Sequence, residues 1–472
     1  MSIRFILSAA ILAAFAAGAA DAAEAGAPHL DGAELGLVWM LPFAAILGGI
    51  ALGPLLAPHA WHAHYGKYAA GCAVAFLVPC AAVFGTATAT YEFVHTMLIE
   101  YVPFIVMLLA LYVVAGGVRL KGAIVGTPAT NTAMLAFGTA IASAMGTTGA
   151  CILLIHPMLR ANAWRRHNAH VFVFFIFLVG NIGGALTPLG DPPLFIGFLE
   201  GVDFFWVTTR MFVPMLVLAV PLLAAFYLLD RHYFAKEDDP PAGLLAQADP
   251  LGVEGKINFL LLAGIVAAVL LSGVWRAGWS VEIFHTKVAG ESVLRSAALL
   301  VLAALSLKLT RDESRRLNGF TWGPIAEVAK LFVGIFVTIV PAIAIIRAGR
   351  DGALGDLIAL LNRDGVPANA AYFWVTGILS AFLDNAPTYL LFFNLAGGDP
   401  QALMGPLATT LLAISAGSVF MGALTYIGNA PNFMVKALAE EKGVRMPSFF
   451  GYLGWSCAFL TPPLALLTFL YF

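Results

Sequence analysis

Two stretches of this chain set an acid or an amide among helix breakers in strongly apolar surroundings. Residues 184–195 read GALTPLGDPPLF and residues 422–433 read GALTYIGNAPNF. Aligned without gaps, they share Gly184/Gly422, Ala185/Ala423, Leu186/Leu424, Thr187/Thr425, Gly190/Gly428, Pro193/Pro431 and Phe195/Phe433, with Asp191 opposite Asn429. A helix break at membrane depth frees backbone N–H and C=O groups that lipid cannot satisfy. It survives where it lines a polar cavity or is buried in protein. A matched pair of breaks points to the binding site of a carrier.

Two further interruptions carry polar side chains. The apolar segment 129–160 is broken at Gly146-Thr147-Thr148-Gly149, and the segment 369–396 at Asp384-Asn385-Ala386-Pro387-Thr388. Each reads as a re-entrant hairpin, two half-helices meeting at a tip. Helix ends leave N–H or C=O groups unpaired, so a tip is a ready cradle for an ion. The candidate ligands are Thr147 and Thr148 at one tip and Asp384, Asn385 and Thr388 at the other. The broken spans add Asn181, Thr187 and Asp191 in the first half, and Thr425, Asn429 and Asn432 in the second. These oxygens suit a hard cation, and the expected ion is Na⁺ near Asp384 and Asp191. A carboxylate in mid-bilayer costs about 2.5–3.5 kcal/mol, so it persists where it holds an ion, a proton or a partner.

Plainer roles stand beside these. Asp191 and Asp384 each precede a half-helix and would serve as its cap. The threonines would donate to carbonyls, and Asn181, Asn429 and Asn432 would patch freed backbone. Glu100, Glu327 and Lys330 read as interfacial or ion-paired groups, and His156 as a packing histidine. His59, His62 and His64 read as a loop at the membrane interface. The four cysteines lie in apolar segments without CxxC spacing and read as small packing residues. No nucleotide fingerprint, GxSxG or HExxH is present, which leaves an enzyme without support; no cofactor is expected.

The elements that must hold these groups follow from composition and hydropathy. Of 472 residues 60% are hydrophobic and 11% charged, against about 25% charged in soluble domains. With a mean hydropathy of +0.88, the chain is a polytopic all-α membrane protein. A net charge of −2 gives no ground for nucleic-acid binding. Residues 1–23 have the layout of a cleavable export signal: Arg4, an apolar run, then small residues. An exported tail, 24–34, follows.

A first membrane repeat covers 35–229, with spans near 35–57, 68–88 and 98–118, the hairpin 129–160, a broken helix 169–200 and a last span 205–229. The polar run 230–256 reads as a cytoplasmic linker. A second repeat covers 257–472 on the same plan, with the hairpin 369–396 and a broken helix 405–440. The hairpins align with Ser143 against Ser380, in the same order relative to the breaks and at nearly equal spacing, which marks a structural repeat. Five crossings per half invert the second half relative to the first. Most Lys and Arg then gather on one side, at 59–67, 119–121, 160–166, 231–236, 308–316 and 436–445, which the positive-inside rule assigns to the cytoplasm, while Arg276, Lys287, Arg295, Arg347, Arg350 and Arg363 fall on the other. The mature N-terminus is periplasmic or extracellular, in a bacterial-type inner membrane.

Residues 181–195 (NIGGALTPLGDPPLF) and 379–388 (LSAFLDNAPT), with 422–432 in support, resemble the ion-transporter superfamily of citrate and dicarboxylate carriers, arsenite and anion permeases and NhaD-type sodium/proton antiporters. The pattern is most similar to the sodium/proton antiporter branch, often labelled citrate-transporter-like. The resemblance implies two inverted halves, each with a hairpin and a broken helix, in a homodimer. It maps the tips to Thr147/Thr148 and Asp384/Asn385/Thr388, and the breaks to Thr187/Asp191 and Thr425/Asn429. Dicarboxylate carriers of this group use Ser-Asn-Thr at both tips, which this chain lacks. With an acidic tip and no arginine in any tip or break, the expectation is Na⁺/H⁺ antiport by alternating access, with Na⁺ and H⁺ as the moving ions. Coupled uptake of citrate or another carboxylate is the alternative.

Overall fold

A computed structural model describes residues 28–122, 124–238, 252–363 and 366–472. The export signal expected at 1–23 lies outside the described residues. The chain is an all-α polytopic membrane protein. Among the described residues eight helices are long and apolar enough to cross a bilayer, and a pair bent by 44° makes a ninth.

The first half runs α1 (Leu41–Leu56), α2 (Pro58–Phe84), α3 (Thr86–His95), a π-helical turn at Thr96–Tyr101 and α4 (Val102–Ala115). After the short strand β1 (Arg119–Lys121) come α5 (Pro128–Met145) and α6 (Thr147–Asn162), which pack together and meet at Gly146. Then follow α7 (Ala169–Leu178), a 3-10 turn at Ile182–Leu186, α8 (Pro192–Leu199) and α9 (Phe204–Phe234). The strand β2 (Gly252–Glu254) returns to pair antiparallel with β1, Leu120 against Val253.

The second half runs α10 (Ile257–Val274), the ribbon β3 (Ser280–Ile283) and β4 (Thr286–Ala289), α11 (Gly290–Leu309), α12 (Asp312–Leu317) and α13 (Gly323–Arg347). A short α14 (Gly355–Leu361) precedes α15 (Asn369–Leu383) and α16 (Asn385–Leu395), which meet at Asp384. After α17 (Pro400–Met404), α18 (Ala408–Met421) leads through a 3-10 turn at Gly422–Leu424 to α19 (Ala430–Glu441). The bent pair α20 (Phe449–Phe459) and α21 (Thr461–Tyr471) closes the chain.

The apolar core is densest around α7, where every residue from Val171 to Val179 is fully buried. Such a helix, hydrophobic all round, is surrounded by protein rather than lipid. Long lipid-facing helices, by contrast, show apolar exposed faces, as at Val220 and Leu228 of α9. Both broken spans lie in this interior, which is what permits their irregular backbone.

Two details depart from the sequence-level reading. The hairpins are in register one residue away from the Ser143/Ser380 alignment. Gly146 (φ 80, ψ 147) and Asp384 (φ 79, ψ 143) have the same backbone geometry at the two tips. Thr147 therefore matches Asn385, and hairpin and break alike repeat at the 238-residue spacing that separates Asp191 from Asn429. The physical cue is backbone geometry at the turn, which side-chain matching between Leu- and Ala-rich helices does not register. Second, Asp230, at the start of the polar run, is fully buried inside α9. It accepts from Arg165 Nη2 at 2.5 Å and Asn131 Nδ2 at 2.9 Å, and its other contact is His170 Nε2 at 2.7 Å. Asn131 and Asn162 exchange hydrogen bonds at 2.9 Å, so this cluster ties both arms of the first hairpin to α9.

Candidate functional site

Each break is built the same way. Thr187 Oγ1 donates to Ser143 O at 2.5 Å and receives Leu189 N–H at 3.2 Å. Thr425 Oγ1 donates to Ala381 O and receives Ile427 N–H at 3.2 Å. These threonines staple each break to the hairpin of its own half. The glycines are required by crowding: a Cβ on Gly190 would lie 2.1 Å from Gly184 O, and one on Gly428 2.5 Å from Gly422 O. Ser143 adds a contact that the motif reading missed, donating to Gly183 O at 2.5 Å and accepting from Leu186 N at 2.9 Å.

Asp191 joins the parts. It is 1% exposed and makes no cap hydrogen bond to α8. Its Oδ1 accepts from Thr147 Oγ1 at 3.1 Å and from Asn429 Nδ2 at 3.0 Å, and its Oδ2 from Asn385 Nδ2 at 2.6 Å. One carboxylate thus bonds the first tip, the second tip and the second break. Three neutral donors satisfy it without a counter-cation, the arrangement a buried anion needs. Asn385 Oδ1 is buried beside it with no hydrogen-bond partner.

Asn181 and Asn432 continue the network. Asn181 Nδ2 donates to Asn432 Oδ1 at 2.7 Å and to Ile176 O at 2.8 Å. Asn432 Nδ2 donates to Gly422 O and Thr425 O, at 2.8 and 2.9 Å. Asn429 also reaches Gly180 O and Asn181 Oδ1, at 3.2 and 3.3 Å. The carboxamides therefore satisfy the backbone that the breaks release and cross-link the two halves.

Asp384 is used differently. Its Oδ1 caps α16, accepting from Ala386 N at 3.1 Å. Thr388 Oγ1 donates to Asp384 O at 2.8 Å. The φ and ψ that Asp384 shares with Gly146 belong almost only to glycine and cost another residue about 1–3 kcal/mol. A cap alone does not call for an aspartate in that geometry.

A cavity of about 370 Å³ brings these elements to a common space. Its lining includes Thr147, Thr148, Asp191, Asp384 and Asn429, with Glu327 of α13 and apolar residues such as Met107, Ile325 and Met434. Three carboxylates line it, with no Lys, Arg or His among the lining side chains. No three His, Cys, Asp or Glu side chains among the described residues gather as a metal-ligand set. Any bound cation would take its oxygens from hydroxyls, carboxamides and backbone as well. Glu327, which the sequence placed at an interface, is the lining residue that motif reading passed over; its place in α13 beside an apolar run was its only signal.

A second hollow of about 1340 Å³ adjoins the first; Tyr112, Pro324, Met434 and Leu438 line both. It lies between α6 and α19 and carries Arg160, Arg166, Arg316, Lys442 and Arg445, with Glu441 as an opposing acid. This basic vestibule collects the cations of loops far apart in sequence.

Residues 32–472 match the family described as "Putative citrate transport". The chain belongs to that family. Its relatives include proteins named as uncharacterised transporters in Mycobacterium bovis and Mycobacterium tuberculosis, each 25% identical over 328 residues, covering 67% of this chain and 71% of theirs. A 46 kDa membrane protein of Mycobacterium leprae is 24% identical over 332 residues, with the same coverage. The chain is accordingly a membrane transporter of the ion-transporter type.

Proposed function

We propose that this transporter exchanges Na⁺ for H⁺ by alternating access, with two inverted repeats moving about the cavity they share. The observation that carries this reading is the presence of Asp191 and Asp384 in a cavity wall that includes no Lys, Arg or His side chain. Such a wall attracts a small cation and repels an anion. Asp384 is the exchanging carboxylate, trading a proton for Na⁺ at the second tip. Thr148 and Asn385 supply neutral oxygens nearby. Asp191 ties both tips and the second break together through its three hydrogen bonds. The carrier works as a homodimer in a bacterial-type inner membrane, with the basic vestibule on the cytoplasmic side and the mature N-terminus outside.

A second reading, Na⁺- or H⁺-coupled transport of citrate or another di- or tricarboxylate, is favoured by the vestibule. Its arginines and lysines would concentrate an anion at the mouth of the cavity, and Na⁺ bound at Asp384 would neutralise the tip. The family description points the same way.

Purified protein in liposomes loaded with a pH-sensitive dye separates the two. Added Na⁺ without any organic anion is expected to shift internal pH. Movement of labelled citrate or succinate, with no proton movement on Na⁺ alone, overturns antiport in favour of the second reading.

A further inference from the structure

Five side-chain oxygens within the helical body are buried with no hydrogen-bond partner beyond the approach of the Tyr389 hydroxyl and Ser415 Oγ to each other: Glu100 Oε2, Thr376 Oγ1, Asn385 Oδ1, Tyr389 OH and Ser415 Oγ. An orphaned buried polar group costs about 1–3 kcal/mol and calls for a reason. Four of the five belong to α15, α16 and α18. At the 238-residue repeat spacing their counterparts are Gly138, Thr147, Cys151 and Phe177. Thr147 spends its hydroxyl on Asp191, and the other three carry none. The fold does not need a hydroxyl at those three positions, since the first half builds the same elements without one.

The orphans form a track. Asn385 and Tyr389 lie four residues apart on one face of α16. The Tyr389 hydroxyl is so close to α8 that a Cβ on Gly197 would sit 2.3 Å from it. Glu200, at the end of α8, is an electrostatic neighbour of Tyr389, and Ser415 of α18 is its side-chain hydrogen-bonding neighbour. The track thus leads from the Asp191 cluster along the α16–α8 seam to a carboxylate.

The repeat gives this seam a meaning. The vestibule opens between α6 and α19, where Ile152, Met434 and Leu438 line it. Their counterparts at the repeat spacing are Leu390 in α16, and Ile196 and Glu200 at α8. There the counterpart elements pack against each other; Ile196 is 3% exposed where Met434 is half-buried, while Leu390, like Ile152, is buried. A carrier built from inverted repeats reaches its other state when the halves exchange conformations.

We propose that in the opposite-facing state the path to the site opens along the α16–α8 seam, lined by Asn385, Tyr389 and Ser415, with Glu200 as the cation-accepting carboxylate at its mouth. This rests on the alternating-access reading but not on which solute moves.

The test is thiol accessibility in proteoliposomes. Ser415→Cys is nearly isosteric and is made in a Cys457→Ala background, since Cys457 is the exposed cysteine and Cys72, Cys80 and Cys151 are buried. A membrane-impermeant cationic methanethiosulfonate is expected to modify it at least tenfold faster than background from the face opposite the vestibule. Leu438→Cys reports the vestibule face. Modification of Leu438→Cys with none of Ser415→Cys from the opposite face overturns the proposal. A thermal unfolding midpoint within a few degrees of the parent certifies each variant. Glu200→Gln is expected to slow transport at least tenfold, for whichever solute the flux assay identifies; an unchanged rate removes Glu200 from the path. Failure of Na⁺/H⁺ exchange is read in the ion-only flux assay and leaves the labelling pattern untouched.

Discussion

The two aspartates of the site differ in what the surrounding chain asks of them. Asp191 accepts three hydrogen bonds from neutral donors. Asp191→Asn replaces one of its two accepting oxygens with an N–H₂ group and is expected to cost about 1–3 kcal/mol, as unsatisfied buried groups do, seen as a lower unfolding midpoint in detergent. Asp384 is strained where its counterpart is glycine. Asp384→Gly releases about 1–3 kcal/mol of backbone strain, against a few tenths from the weaker cap and some added freedom of the unfolded chain. Stability is expected to be unchanged or raised by up to about 2 kcal/mol while Na⁺-driven proton flux disappears. A variant that keeps full flux would remove Asp384 from the mechanism. Asp191 and Asp384 were both legible in the sequence, because a carboxylate beside a proline or an asparagine in an apolar run is conspicuous. Their division of labour was not, because it depends on which donors from the other half reach each oxygen.

At the scale of elements, the breaks depend on glycines pressed against backbone. Gly190→Ala forces a Cβ into Gly184 O and is expected to destabilise by about 1–3 kcal/mol, as overpacking does, with reduced yield of folded protein. The repeated Gly and Thr positions were readable, since two copies of one motif advertise what a break requires. The hairpin register was not, because Leu and Ala match almost anywhere and only the positive φ at Gly146 and Asp384 fixes it.

Outside the membrane, the β1–β2 ribbon is held by Glu254. The Ser314 hydroxyl, at 2.9 Å, and then Arg119, at 3.1 Å, hold its carboxyl below the usual glutamate range. A depressed native value means that this stabilisation is present above the ordinary pKa of 4.5 and is lost as pH falls through the lower folded value. Glu254→Gln is expected to flatten that part of the acid limb of an unfolding-midpoint profile. An acid limb that keeps its slope would deny Glu254 this role.

For the whole molecule, the decisive asymmetry is electrical: an acidic cavity behind a basic vestibule. Arg316 and Arg445 are exposed on the vestibule lining. If carboxylate is the cargo, Arg316→Gln with Arg445→Gln is expected to lower its uptake several-fold, most at low ionic strength. Ion-only exchange is expected to change little. Equal loss of both activities would point to a structural role for the pair. The cations were legible as the positive-inside pattern, but their convergence on one hollow was not, because the loops that supply them are separated by whole membrane spans.

The bonds to Asp191 also bear on how the chain is made. Its donor Asn429 lies 238 residues downstream and Asn385 lies 194, so the ribosome delivers the acid to the bilayer long before two of its three partners exist. During that interval the nascent first half carries an acid with Thr147 as its one hydrogen-bonding companion. A fragment ending in the polar run after α9 would keep this deficit for good. Quality-control proteases should clear it far faster than the full-length chain, and co-expression of the missing half should restore its lifetime.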